Sequence, residues 1–185
     1  MKCLYYLSPS LGMSENISRD LREIGINDWY VHIISKDESG LAQKHLRSGN
    51  YLEKLDIVRS GTIGAAIGFC VAIIAIFLLS SFKPFGPNIP TFVYLMLLFV
   101  ITMFGAWEGG LFGVEKENRK LTQFHNDIEA GKCLVLIYAL KSQEKKIKEM
   151  MRMKHQHSEL AAIDKHFINP FSNLSKVHKL SDKPI

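Results

Sequence analysis

Glycines and one glutamate stand out first in this sequence, because they lie where almost nothing else is polar. Gly61, Gly64 and Gly68 fall in one apolar run, the last two spaced as G-x-x-x-G, and Gly105, Gly109 and Gly113 fall in a second as G-x-x-x-G-x-x-x-G. A spacing of four puts each set on one helix face. Without side chains, two backbones can approach closely there, which drives helix association in lipid. The stripes either join two segments of one chain or assemble several chains, and the two readings are compatible. Glu108 is the only acidic residue inside the apolar stretches. A carboxylate in a membrane helix costs roughly 2–3 kcal/mol on insertion scales and less near an interface. Facing water, pairing with Arg59 on the neighbouring segment, or holding an ion within an oligomer would each reduce that cost. Trp107 beside it suits an interfacial anchor.

A second cluster is basic. Lys141, Lys145, Lys146, Lys148, Arg152 and Lys154 crowd one short segment. Lys145, Lys146, Lys148 and Arg152 read either as a solvated helix face or as cations resting on anionic lipid headgroups, each worth about 1 kcal/mol there. No aromatic residues interleave them to stack bases, so nucleic acid is not expected. His155, His157 and His166 are neighbours, but their spacings do not align on a helical face as a metal pair would. His32 and His125 have no evident partner. Cys3, Cys70 and Cys133 are odd in number and lack a C-x-x-C, so neither a disulfide framework nor a zinc ribbon is indicated. The sequence contains no phosphate-binding glycine loop, nucleophile elbow or H-E-x-x-H. No catalytic, cofactor or metal residues are assigned, and an enzyme is not expected.

The elements that carry these residues follow from periodicity and charge. The 185 residues are 47% apolar and 22% charged, so the apolar residues must be segregated. Ser60 to Phe82 contains no charged residue and would span about 34 Å as a helix, enough for a hydrocarbon core of about 30 Å. Pro84, Gly86, Pro87 and Pro90 force a reversal. Thr91 to about Gly113 forms a second span interrupted only by Glu108. Lys44, Arg47, Lys54 and Arg59 precede the first span, Lys116, Arg119 and Lys120 follow the second, and the loop holds only Lys83. The positive-inside rule then puts both termini in the cytoplasm.

Before the spans, Lys2 to Ser8 reads as a strand and Ile17, Leu21 and Ile24 as a helix capped by Ser14 and ended by Gly25, with a second strand over Trp29 to Ser35. Leu41 to Leu46 forms a short helix. Asn50 with Glu53 resembles a capping box, opening a helix that runs into the first span. Beyond the second span, Glu115 to Glu129 reads as a rigid helical continuation stopped by Ala130-Gly131. Lys132 to Leu140 is apolar on both faces, as a central strand is. Ser142 caps a long C-terminal helix to about His166, and the chain from Asn169 onward reads as a flexible tail.

The third strand fits antiparallel into the gap that a βαβ crossover leaves between its two strands. The expected fold is therefore an α+β membrane protein: a two-helix transmembrane hairpin inserted in a small split-βαβ, ferredoxin-like half, plus the long C-terminal helix. The expected divisions are 1–58, the hairpin 59–114 with spans at about 60–82 and 91–113, the second part of the cytoplasmic domain 115–168, and the tail 169–185. One sheet face would lie under the Ile17/Leu21/Ile24 helix and the last helix.

Lys2 to Leu7, Ile17 to Gly25, Tyr30 to Lys36, Gly61 to Gly68, and Ala130-Gly131-Lys132 leading into Leu134 to Leu140 together resemble a bacterial family of unknown function, in places described as general stress proteins. The likeness covers roughly residues 1–141, and the C-terminal helix and tail depart from it. It implies the βαβ domain interrupted by a glycine-rich transmembrane hairpin and a place in the bacterial inner membrane, with no catalytic residues to carry over. The functional expectation is a non-enzymatic inner-membrane scaffold or accessory subunit, surrounded by lipid and joined in a homo-oligomer or larger membrane complex. A homo-oligomeric channel or transport component using Glu108 is the first alternative. A membrane-anchored small-ligand sensor is the second.

Overall fold

The computed structural model describes residues 1–84, 86 and 88–176. The chain forms two compact units: Met1–Asn50 with Lys120–Ile185, and Tyr51–Arg119 between them in sequence.

In the first unit, β1 (Lys2–Ser8), α1 (Leu11–Glu23) and β2 (Val31–Ile34) are followed by the short helix α2 (Glu38–Gln43). The chain returns to this unit through α6 (Arg119–Thr122) and α7 (His125–Glu129), then β3 (Cys133–Ala139), α8 (Lys141–Lys154), β4 (Glu159–Asp164) and the two-residue β5 (Ser175–Lys176). The sheet order is β2-β3-β1-β4-β5. β3 lies between β2 and β1 and is antiparallel to both, with Leu4 opposite Ile137 and Ile33 opposite Val135. β4 adds to the other side of β1, also antiparallel, with a bulge between Tyr5 and Tyr6.

The β4 strand corrects the long C-terminal helix. α8 stops at Lys154, His155 turns the chain, and Leu160-Ala161-Ala162-Ile163 pairs along β1. The sequence there satisfies both periods: Leu160 and Ile163 stand three apart, as on a helix, yet the run is short and follows a Gln-His-Ser turn. Pairing with the exposed edge of β1 decides the outcome, since every backbone group buried there needs a partner. The expected flexible tail is corrected over 169–176, where β5 pairs with β4 and Ser172 Oγ donates to the Asn169 carbonyl at 2.8 Å. Residues 177–185 lie outside the described residues.

Both sheet faces are covered. Leu4, Tyr6, Val135 and Ile137 point to Ile17 and Leu21 of α1 and to Ile147 and Met151 of α8. Cys3, Tyr5, Leu134 and Leu136 point to Leu121 of α6, Ile128 of α7 and Phe124 just ahead of α7. The expected rigid helix over Glu115 to Glu129 is thus broken into short pieces, and the breaks let its apolar residues reach the second face of the sheet. Capping also differs from expectation. Ser10, not Ser14, caps α1 by accepting from the Met13 N–H, and α8 begins one residue before Ser142, with Gln143 accepting from the Leu140 N–H at 3.1 Å. Gly25 ends α1 at φ +86°, a conformation other residues resist.

The second unit is a pair of long helices, α4 (Ile57–Phe82) and α5 (Thr91–Val114), preceded by the single turn α3 (Tyr51–Lys54). The helix from Asn50 does not run through. Leu55 leaves it to bridge Glu117, and the Asp56 N–H donates to the Lys116 carbonyl at 2.9 Å. Asn118 N–H donates likewise to Lys54 at 2.8 Å. These bonds tie the open end of the hairpin. With mean hydropathies of 2.7 and 1.8 over their most apolar windows, both helices are long and apolar enough to cross a membrane.

Candidate functional site

The glycines meet along the seam between α4 and α5. A Cβ added at Gly105 would stand 2.5 Å from the Gly64 carbonyl oxygen and 2.9 Å from Gly68 Cα. One at Gly68 would stand 2.8 Å from the Ile101 oxygen, and one at Gly113 2.7 Å from the Asp56 oxygen. A Cβ at Gly64 would overlap the Gly105 carbonyl, and one at Gly109 the Ser60 carbonyl. Five of the six glycines singled out in the sequence therefore hold backbone against backbone within one chain. Gly61 is different: its nearest neighbour, the Ala106 oxygen, lies at an ordinary 3.4 Å. Gly64, Gly68, Gly105, Gly109 and Gly113 are occupied by this packing, so the surface offered outward is one of large side chains such as Ile67, Phe77, Leu95, Phe99 and Phe112.

Beside the seam runs a groove of about 560 Å³. Ile67, Val71, Ile101, Phe104 and Phe112 line its apolar length, and Asp56, Arg59, Glu108 and Lys116 line its polar end. Helix periodicity brings Arg59 and Glu108 to this one groove from different helices. The close contact of the Arg59 guanidinium, however, is Asp56 one turn earlier, at 3.1 Å. The Glu108 carboxylate is exposed and has no hydrogen-bond partner among the described residues. Trp107 beside it is exposed and packs against Phe104, with ring centroids 5.7 Å apart.

The basic segment does not behave as one lipid-facing stripe. Lys148 pairs with Glu144 at 2.7 Å, and Lys146 Nζ donates to the Ile24 carbonyl at 3.0 Å. Lys145 is exposed and Arg152 lines a cavity. Lys148 and Lys2 both bond the Glu144 carboxylate and hold it below the ordinary range against a smaller opposing effect of burial. The three histidines separate. His155 is buried and its Nε2 lies 2.8 Å from Asp20 Oδ2, whereas the His166 N–H donates to Asp164. Burial pushes Asp20 upward, but hydrogen bonds from Lys154 and His155 outweigh it and hold the carboxyl low. His32 is not alone either: it packs edge-on against Tyr138 at 5.5 Å.

One constellation escaped the sequence reading. Lys120, counted there among the cations flanking the second span, is buried and pairs with the buried Asp164 at 2.6 Å. Its Nζ also donates to the Asn169 carbonyl at 3.0 Å. The partners are 44 residues apart, and no local spacing announces such a pair.

No family model, curated protein or solved structure matches the chain. Among the described residues, no three or more of His, Cys, Asp and Glu gather as a metal site.

Proposed function

We propose that the chain is a non-enzymatic scaffold or accessory subunit of a bacterial inner membrane, crossing it twice with both termini in the cytoplasm. The observation that carries this reading is Glu108. It is a carboxylate on an otherwise apolar 24-residue helix, set at a groove and without a hydrogen-bond partner among the described residues. Such a group in a bilayer is costly until it meets a cation, a donor or water. A further membrane segment seated beside the groove would supply one. The glycine seam supports the same reading: it makes the hairpin a pre-formed rod, and leaves its outer ridges for lipid and partners. The β2-β3-β1-β4 order with α1 and α8 on one face supports reading the sheet as ferredoxin-like, a frame suited to contacts between domains. That is fold analogy and not a site. The likeness to the stress-protein-like family belongs to this reading.

The test is native mass spectrometry of the full chain in mild detergent, with cysteine crosslinking in intact membranes. The expected result is a discrete complex, of copies or with a partner, that Glu108→Gln weakens. A strictly monomeric species that crosslinks to nothing would overturn it. The same groove favours the channel as a second reading, which predicts ion flux in reconstituted vesicles altered by Glu108→Gln. Vesicles that carry no flux remove it. A tag next to Asn88 should react only from outside the cell, and reaction only from the cytosol would refute the topology.

A further inference from the structure

In the first unit, where α8 ends against β1, a cavity of about 410 Å³ is lined by Tyr6, Lys148, Arg152, His155, Gln156 and Ser158, among others. The size suits a small ligand or the head of a larger one. Every polar side chain named is able to donate a hydrogen bond. Tyr6 is 3% exposed, and its hydroxyl has no hydrogen-bond partner among the described residues. The Arg152 guanidinium, the Gln156 amide and the Ser158 hydroxyl are also without one among the described residues. The other groups are already fixed. Asp20 holds one ring nitrogen of His155 at 2.8 Å, and Lys148 stands 2.7 Å from Glu144. Glu144 is in turn matched by a second cation, Lys2, at 2.7 Å.

The charges around the cavity favour an anion. The nearby carboxylates Asp20, Glu23 and Glu144 face Lys2, Lys148 and Lys154 in ion pairs, and Arg152, one turn beyond Glu149 on α8, forms no ion pair among the described residues. The carbonyl end of α8 opposes an anion with about half a negative charge, less than the guanidinium supplies. Burial and the nearby Glu144 carboxylate push the Tyr6 phenol up to about 12, so it stays a neutral donor in the physiological range. The donors come from a strand, a helix and a turn, and so approach one volume from three sides. A tetrahedral anion accepts from all of them, and guanidinium matches two of its oxygens at once.

We infer that this cavity binds a phosphate group, held by the Arg152 guanidinium and the Tyr6 hydroxyl with Ser158 and Gln156 at its rim. The inference is independent of the membrane reading above. The phosphate belongs either to a soluble ester or to a lipid headgroup.

The test is calorimetric titration of the full chain in neutral detergent with inorganic phosphate, ribose 5-phosphate and dihexanoyl phosphatidic acid. Saturable binding is expected, weakened about tenfold or more by Arg152→Gln and several-fold by Tyr6→Phe, the losses typical of a charged and a neutral hydrogen bond. Lys145→Gln, outside the cavity, should leave it unchanged. Tighter binding of the lipid analogue than of the sugar phosphate assigns the headgroup, and the reverse order assigns a soluble ester. Either order supports the inference. No saturable binding of any of the three overturns it, as does equal weakening by Lys145→Gln and Arg152→Gln. Arg152 is exposed, so its variant folds and keeps the test decisive.

Discussion

At the scale of single residues, the buried Lys120–Asp164 pair shows how charge is accommodated inside the sheet unit. Asp164 is 0% exposed; it accepts from Lys120 on one oxygen and from the His166 N–H on the other. Two ions taken out of water lose hydration that only close pairing and further hydrogen bonds restore. Removing one member therefore leaves an orphaned charge. Lys120→Met should destabilise this unit by about 3–5 kcal/mol, and Lys120→Met with Asp164→Leu by clearly less. Chemical denaturation followed by circular dichroism measures both. Equal loss in the single and double variants would show that the pair acts only by packing. Sequence reading missed this pair because ionic partners brought together by β4 and α6 carry no shared period. It missed the neighbours of His32 and His155 for the same reason.

At the scale of elements, the sequence was most informative where one physical constraint acts alone. Uncharged length settled the two long helices, and short runs rich in apolar and aromatic residues bounded by turn residues settled β1, β2 and β3. It was least informative where propensity and tertiary pairing compete. Leu160 to Ile163 fits a helix by spacing, and the free edge of β1 makes it a strand. Glu115 to Glu129 reads as one helix by polarity, and the bare second face of the sheet draws Leu121, Phe124 and Ile128 inward and breaks it. The glycines were legible as a pattern, but their division was not: spacing alone does not separate Gly61 from Gly64. The seam predicts that difference. Gly105→Leu must push α5 off the Gly64 backbone and should cost at least the roughly 1–3 kcal/mol typical of overpacking. Gly61→Ala and Gly110→Ala, with room for a methyl group, should fall within about 0.5 kcal/mol of the parent. Thermal unfolding in detergent reads the three. A Gly105→Leu protein as stable as Gly61→Ala would mean the helices are not in contact at the glycines.

At the scale of the molecule, the two units are stabilised by opposite means. The sheet unit buries apolar residues on both faces of β3, whose Leu134, Val135, Leu136 and Ile137 are at most 1% exposed. The helical unit buries little beyond its glycine seam, and turns large apolar side chains outward. Local stability should follow this plan. In hydrogen exchange of the full chain, β3 amides should be the slowest of the sheet unit and β5 among the fastest, because β3 is paired on both edges and β5 is a two-residue edge strand. Mass spectrometry of peptides covering each strand decides it, and β3 exchanging as fast as β5 would mean that the sheet is not organised around it.

The position of β3 also sets a schedule for synthesis. β1 and β2 do not touch; each pairs with β3, which the ribosome makes only after both long helices. Until residue 139 has emerged, the first fifty residues have no strand to pair with and expose apolar edges to the translation machinery. A nascent chain is built at about 5–20 residues per second, so this exposure lasts several seconds. During that time both long helices have already been made. The centre of the sheet is thus closed only after both long helices are made, and a chain stalled before β3 leaves its amino-terminal portion waiting for a partner, a state that holdase chaperones and quality-control proteases would recognise first.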